Sequence, residues 1–323
     1  MPCILRVDQA KGRDRMQKAL RRFGREISTN RFIYLMMVPG LLFLFVFSYM
    51  PLSGYLLAFK DYTLQKGIWG SPFAGLKHFQ FFFSTRDWLP ITLNTIYLNA
   101  LFILFGMGFA VVLAILLGEV QRTWLKRLLQ SGVFLPYFVS WMVVQQMMYA
   151  LLASQQGLIT QAVLALTGKT VSFYSTPGYW RAILTAVYVW RFSGYYAVIF
   201  IGAVTSIDPA YYESAVIDGA SRLQMVFRIT LPLIRKTVLV MVLMATGRIF
   251  YGDTGMIYGL IGDNSLLYSA TDVIDTYAYR AMRQTNSFSM SSAITVCQAC
   301  MGVLTILLFN KIAKRIEPDA RLF

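Results

Sequence analysis

The chain is poor in the residues that carry most enzyme chemistry. Its 323 residues include one histidine, His78, three cysteines, and only fifteen Asp and Glu together. Residues of either charge amount to 14%, where soluble domains average about 25%. With a single histidine and scattered acids, no local motif assembles a metal site or an acid–base pair. Cys3, Cys297 and Cys300 exclude a secreted-type disulfide framework. Cys297-x-x-Cys300 has no second pair and sits in an apolar run, so it reads as small side chains in a helix. A G-x-x-x-x-G-K-[ST] phosphate loop is missing, so no ATP site and no cofactor are expected on this chain. Residues 1–31 hold no apolar stretch, and no cleavable signal peptide is expected.

What the chain has is hydrocarbon. The set AVILMFWYC supplies 57% of its residues, and the mean hydropathy is +0.54. A soluble core of this length cannot hide that much apolar surface. The fold class is therefore all-α integral membrane. A hydrocarbon layer about 30 Å thick needs roughly 20 apolar residues in a helix. Six stretches meet the requirement: residues 32–58, 94–118, 128–152, 182–205, 233–250 and 290–310. The third contains Pro136, Gln145 and Gln146, so part of it is expected to face protein or a cavity. The fifth is short and includes Arg248.

The formal net charge is +15. Such a balance can mark nucleic-acid binding, but in a membrane protein basic residues set orientation. With the N-terminus placed inside, twenty of the thirty Lys and Arg fall in residues 1–31, 119–127, 206–236 and 311–323. Eight fall in the segments outside, and Arg191 and Arg248 lie within spans. Both termini are expected in the cytoplasm, and no nucleic-acid partner is expected. Met16, Ala19, Leu20, Phe23 and Ile27 recur at helical spacing among arginines and lysines. That pattern predicts a basic amphipathic helix lying on anionic membrane lipid.

The segment between the fourth and fifth spans, residues 206–232, carries the most information. Asp208-Pro209 is a helix start, with an acid at the cap and proline in the first turn. A helix is predicted to Ile217, a turn at Gly219, and a second helix from Ala220 to Arg228 that Leu231-Pro232 ends. Glu213-x-Ala215-x-x-x-Gly219, nine further residues, then Ile229-x-Leu231-Pro232 resembles the EAA loop of bacterial ABC importer permeases. Asp218-Gly219-Ala220 and Phe227 resemble its sugar-importer version, and Ser214 departs from the usual alanine. Lys60-Asp-Tyr-Thr63, Gly67 to Phe79, Asn94-Thr95, Leu135-Pro136-Tyr-Phe-Val-Ser140 and Thr271 to Tyr277 extend the similarity to the LplB-like branch of carbohydrate permeases.

The resemblance implies a six-helix, type I importer permease over residues 32–310 in the bacterial inner membrane. It implies a second permease subunit, a different chain, with two cytoplasmic ATPase subunits that bind ATP and Mg and a periplasmic solute-binding protein delivering a saccharide. On that reading Glu213 pairs with the ATPase, Gly219 makes the tight turn, and Phe227 and Ile229 pack the loop onto the spans.

Within the spans, Arg191 beside Trp190, Tyr188, Tyr195 and Tyr196, and Arg248 beside Tyr251, combine guanidinium forks with aromatic faces. An acidic oligo- or polysaccharide such as alginate would suit that set. Each arginine could equally snorkel or pair with Asp253. Trp141, Gln145 and Gln146 on the third span are further path candidates, although a glutamine can serve helix–helix contact as well. Residues 251–288 form a long outer segment, with Thr271 as an expected N-cap for a helix from Asp272 to about Met282. That segment and residues 60–93 would meet the binding protein or fold back as a lid. A self-sufficient secondary transporter or channel is the alternative reading, weakened by the absence of acids in the predicted span cores.

Overall fold

A computed structural model describes residue 26 and residues 29–316. The predicted basic amphipathic helix and the last seven residues of the tail lie outside these. The chain divides into two compact units with the boundary after Leu56.

The first unit holds helix α1 (Arg31–Leu44), which runs through a π turn (Phe45–Tyr49) into a 3-10 stretch (Met50–Phe59) whose last three residues belong to the second unit. Its apolar side chains, Met36 and Phe32 among them, are exposed, as expected of a helix solvated by hydrocarbon rather than by water.

In the second unit, helix α2 (Lys77–Ser84) precedes the long helix α3 (Trp88–Gly118). At 1.5 Å per residue the 31 residues of α3 extend about 46 Å, more than a bilayer's hydrocarbon. Its main partner is α7 (Trp180–Thr205). The two close one core through Ala110, Ala114, Leu117, Ala197 and Phe200, where small residues let the backbones approach.

Between them the third predicted span is broken. Helix α4 (Thr123–Phe134), a 3-10 turn (Leu135–Phe138) and helix α5 (Trp141–Leu152) bend by 95° at residues 139–140. Val139 and Ser140 are extended, and the Ser140 hydroxyl accepts the Val143 N–H as an N-cap. Pro136 sits in the first turn of the 3-10 segment, where its missing N–H costs nothing. The break docks on α7: the Tyr137 ring stacks on Tyr195 at 4.9 Å. A Cβ added at Gly194 would overlap the Val133 carbonyl, reaching within 2.7 Å of its carbon. A short helix α6 (Leu158–Thr167) follows.

The predicted fifth span, residues 233–250, is displaced. Helix α8 (Pro209–Ile217) and its Asp208 cap form as predicted, with Asp208 Oδ1 accepting the Ala210 N–H at 2.9 Å. The second loop helix starts two residues later than predicted, behind Ser221, whose capping box with Gln224 opens α9 (Arg222–Met225). Leu231-Pro232 does not end it. A π turn (Val226–Thr230) leads directly into α10 (Leu231–Thr246). Pro232 lies in the first turn of α10, immediately after the π turn, and the helical stretch continues through both. One helical stretch, Arg222–Thr246, thus spans 25 residues and stops before Arg248.

The segment from residue 251 to 288 is built into the bundle. Helix α11 (Thr254–Ile261) and the turn after it bury Met256, Ile257, Leu260 and Leu267 against Leu98, Trp180 and Leu184. Thr271 ends a one-turn helix and caps nothing. Helix α12 (Ile274–Thr285) begins instead where the Thr276 hydroxyl accepts the Val273 N–H at 2.9 Å. The family-like pairs now have partners. Asn94 Nδ2 donates to the Asp272 carbonyl at 2.7 Å, and Ile274 N–H to Thr95 Oγ1 at 3.0 Å. Arg280 grips the Asp272 carboxylate with both nitrogens, at 2.6 and 2.9 Å. The last helix, α13 (Phe288–Ile316), places both Cys297 and Cys300 on its turns. Its Ser289 accepts the Tyr62 N–H and donates to the Lys60 carbonyl. Among the described residues, five helical stretches are long and apolar enough to cross a membrane, and the broken pair makes a sixth.

Replacing Gly194 with alanine should lower the thermal midpoint of the purified protein by several degrees, a cost of ~1–3 kcal/mol for overpacking. Gly202→Ala is the control, because nothing lies within 4 Å of a Cβ there. Equal melting of the two variants would refute the close approach of α4 and α7.

Candidate functional site

Two sites emerge, one against the middle of α7 and one beyond its C-terminal end. The first is a cavity of about 350 Å³. Its walls come from α3 (Asn99, Phe102), α7 (Tyr188, Phe192, Tyr196) and the non-helical stretch after α10 (Arg248, Tyr251, Asp253). Phe102 and Tyr188 stack at 4.5 Å with their planes 8° apart, and the Tyr188 and Tyr196 hydroxyls lie 3.3 Å apart. Flat faces and hydroxyls together form a surface on which a polyhydroxylated ring can rest. Arg248 is exposed on the wall, 6.0 Å from the Tyr251 ring centre.

In the stretch after α10 the Arg248, Ile249 and Tyr251 N–H groups bond backbone carbonyls in turns, and side chains satisfy further groups. Gln298 Nε2 donates to the Phe250 carbonyl at 2.7 Å and to Asp275 Oδ2 at 2.6 Å. The same carboxylate oxygen accepts the Gly252 N–H at 2.6 Å. The cavity wall is therefore tied to α12 and α13 by side-chain hydrogen bonds although it is irregular.

Of the ten path candidates, the structure brings Tyr188, Tyr196, Arg248 and Tyr251 to this cavity. Trp141 and Arg191 stand one layer behind: Trp141 Nε1 donates to Asp253 Oδ2 at 3.1 Å, and the Arg191 guanidinium lies 3.9 Å above the Trp141 ring. Asp253 thus takes the indole rather than an arginine as partner. Tyr195 instead packs on Tyr137, and Trp190, Gln145 and Gln146 do not line the cavity. The reason is helical phase: of the α7 residues only 188, 192 and 196, spaced four apart, line the cavity. Sequence reasoning missed Asn99, Phe102 and Phe192, and the i, i+4, i+8 spacing of Tyr188, Phe192 and Tyr196 was the signal that could have found the last.

The second site is the loop between α7 and α10. Gly219 adopts φ +75°, the left-handed region that a side chain disfavours, and nothing lies within 4 Å of a Cβ there. Its need is conformational rather than steric. Glu213, Ser214 and Asp218 are exposed, and Ala215 and Ala220 half-buried. Val216, Ile217, Leu223 and Phe227 expose 61%, 86%, 70% and 66% of their surface. Phe227 therefore does not pack back onto the spans, because the π turn rotates it outward; Ile229 is half-buried and Thr230 buried. What holds the loop is the Tyr212 hydroxyl, 2.9 Å from Thr230 Oγ1, with Arg222 reaching Glu119 at 3.3 Å on the surface.

With this geometry in place the comparisons decide the family. Residues 103–321 match the family described as binding-protein-dependent transport system inner membrane component. The chain belongs to that family. It is 32% identical to Protein LplB of Bacillus subtilis (strain 168), over 91% of this chain and 92% of the relative. The polygalacturonan/rhamnogalacturonan transport system permease protein YteP of the same organism is also 32% identical, covering 90% of each chain. Among solved structures, a chain of a bacterial ABC transporter involved in the import of the acidic polysaccharide alginate superposes with a TM-score of 0.83. That chain is 29% identical, with 92% of this chain and 99% of that one covered. The protein is thus an inner-membrane permease component, and the secondary-transporter and channel readings fall.

Removing either partner of the Tyr212–Thr230 contact should loosen the loop. Tyr212→Phe and Thr230→Val should each cost ~0.5–1.5 kcal/mol, with the double variant no worse than the larger single one. Hydrogen exchange of residues 209–217 measures this, and additive losses would show that the two hydroxyls do not interact.

Proposed function

We propose that the chain is a pore-forming permease subunit of an ATP-driven importer of acidic oligo- or polysaccharides. The observation that carries the substrate class is the cavity: stacked aromatic rings and two tyrosine hydroxyls beside an arginine, in a permease whose relatives are described as moving polygalacturonan and alginate. A ring face supplies contact area for sugars, and a guanidinium fork supplies bidentate recognition of a uronate carboxylate.

On this reading a periplasmic binding protein delivers the saccharide at the end where residues 251–288 lie. A second permease subunit completes the pore. Both termini are cytoplasmic, supported by the twenty-to-eight division of basic residues. The residues 206–232 then face the cytoplasm, where two ATPase subunits bind ATP and Mg. The uncovered apolar tip of Val216, Ile217, Leu223 and Phe227 offers those ATPases a hydrophobic anchor, and exposed Glu213 offers a charge partner. Asp218, Gly219 and Ala220 shape the turn. Because α9 runs without interruption into α10, displacement of the loop moves a membrane-spanning helix as a rigid rod.

Coupling is tested with the reconstituted importer. Glu213→Ala and Gly219→Val should leave assembly in the membrane intact and lower saccharide-stimulated ATP hydrolysis and uptake together by at least about tenfold, the loss of one charge-assisted contact. Wild-type rates in both variants would sink the assignment. For substrate class, Arg248→Gln should depress uptake of a uronate oligosaccharide by about tenfold or more and spare its carboxyl-reduced neutral counterpart. Equal loss for both sugars would argue against carboxylate recognition.

A further inference from the structure

Asp253 is set with more care than helix capping requires. Its Oδ1 accepts the Met256 N–H at 2.9 Å, the ordinary duty of an N-cap for α11. Its Oδ2 accepts the Trp141 indole N–H at 3.1 Å. Over the face of that indole lies the guanidinium of Arg191, 3.9 Å from the ring centre. Arg191 projects from the middle of α7, a membrane-spanning helix, where a cation is costly. Its Nε and Nη1 are buried, and neither has a hydrogen-bond partner among the described residues.

The arrangement explains how that cation is tolerated. A ring quadrupole attracts a guanidinium held over its face. A cation in that place draws electron density from the ring and strengthens the N–H as a donor, so the cation and the carboxylate reinforce each other through the indole. Three elements, α7, α5 and the stretch before α11, are thereby aligned on one carboxylate in the cavity wall. Each oxygen of Asp253 uses one lone pair on the protein and keeps a second for another donor.

We propose that Asp253 is a substrate-binding residue that accepts saccharide hydroxyls in the cavity, and that Trp141 and Arg191 are positioning residues acting through it. The proposal rests on the reading of the cavity as a saccharide path and divides the labour within it. Arg248 reads the carboxylate that only acidic sugars have. Asp253 reads the hydroxyls that all sugars have.

The test uses the complete importer in vesicles with its binding protein, fed either a uronate oligosaccharide or its carboxyl-reduced counterpart. Trp141→Phe keeps a ring under Arg191 but removes the N–H; Arg191→Met removes the cation. Each should lower saccharide moved per ATP hydrolysed by about tenfold for both sugars, the scale of one lost hydrogen bond to a charged group. Stimulated ATP hydrolysis should persist, and the double variant should be no worse than the stronger single one, since both act through one carboxylate. Unchanged uptake per ATP in Trp141→Phe, additive losses, or a parallel fall of ATP hydrolysis and uptake would each overturn the proposal. Arg248→Gln is run alongside. If it affects both sugars alike, the acidic-substrate reading fails while the result at Trp141 stands by itself.

Discussion

Hydrocarbon offers no hydrogen bonds, and most features of this fold follow from that. Wherever the chain leaves a helix at membrane depth, its freed N–H and C=O groups must find a partner within the protein. The bend between α4 and α5 is closed by Ser140. The stretch after α10 is closed by Gln298 and Asp275, and the turn into α12 by Asn94, Thr95 and Thr276. Some buried polar side chains thus serve irregular backbone, while others, such as Thr92, Thr185 and Thr246, bond carbonyls of their own helices.

This placement also makes a cavity possible. A bundle of continuous helices would bury its interior completely. Here two interruptions, at residues 139–140 and after Thr246, bring irregular backbone and its polar escort to the same depth between α3 and α7. The rings of Phe102, Tyr188 and Phe192 supply apolar contact, and Arg248 and Asp253 supply charge of both signs. The escort ties the wall to its neighbours where regular secondary structure is missing. At the other end the constraint reverses. The tip of the loop is held by one hydroxyl pair and leaves its apolar residues uncovered, as suits a surface completed by another chain.

Much of the fold was legible because period and length suffice for membrane helices. The second, fourth and sixth spans agree with their helices to within a few residues at most ends, since continuous apolar runs admit no other structure in lipid. Pro136 was a visible signal for the third span, but not its 95° bend, which depends on Tyr137 and Gly194 meeting across α4 and α7. The fifth span was misplaced because Leu231-Pro232 was read as a stop. A π turn is a difference of one backbone register, and no residue pattern announces it. The site divides in the same way. Arg248, Tyr188, Tyr196 and Tyr251 were named from their chemistry, while Tyr195 and Trp190 were named with them only because they are adjacent in sequence.

By itself the sequence determined that this is an all-helical membrane protein, where the first, second, fourth and sixth spans lie, and where the conformationally demanding turn at Gly219 falls, because those properties are local. The tertiary structure alone decided which face of α7 meets α3, that residues 254–274 enter the core, and that Arg191 is answered by an indole rather than by a carboxylate. Those outcomes depend on contacts between residues 50 to 180 positions apart, and helical phase can resolve them only once a neighbouring helix is in place.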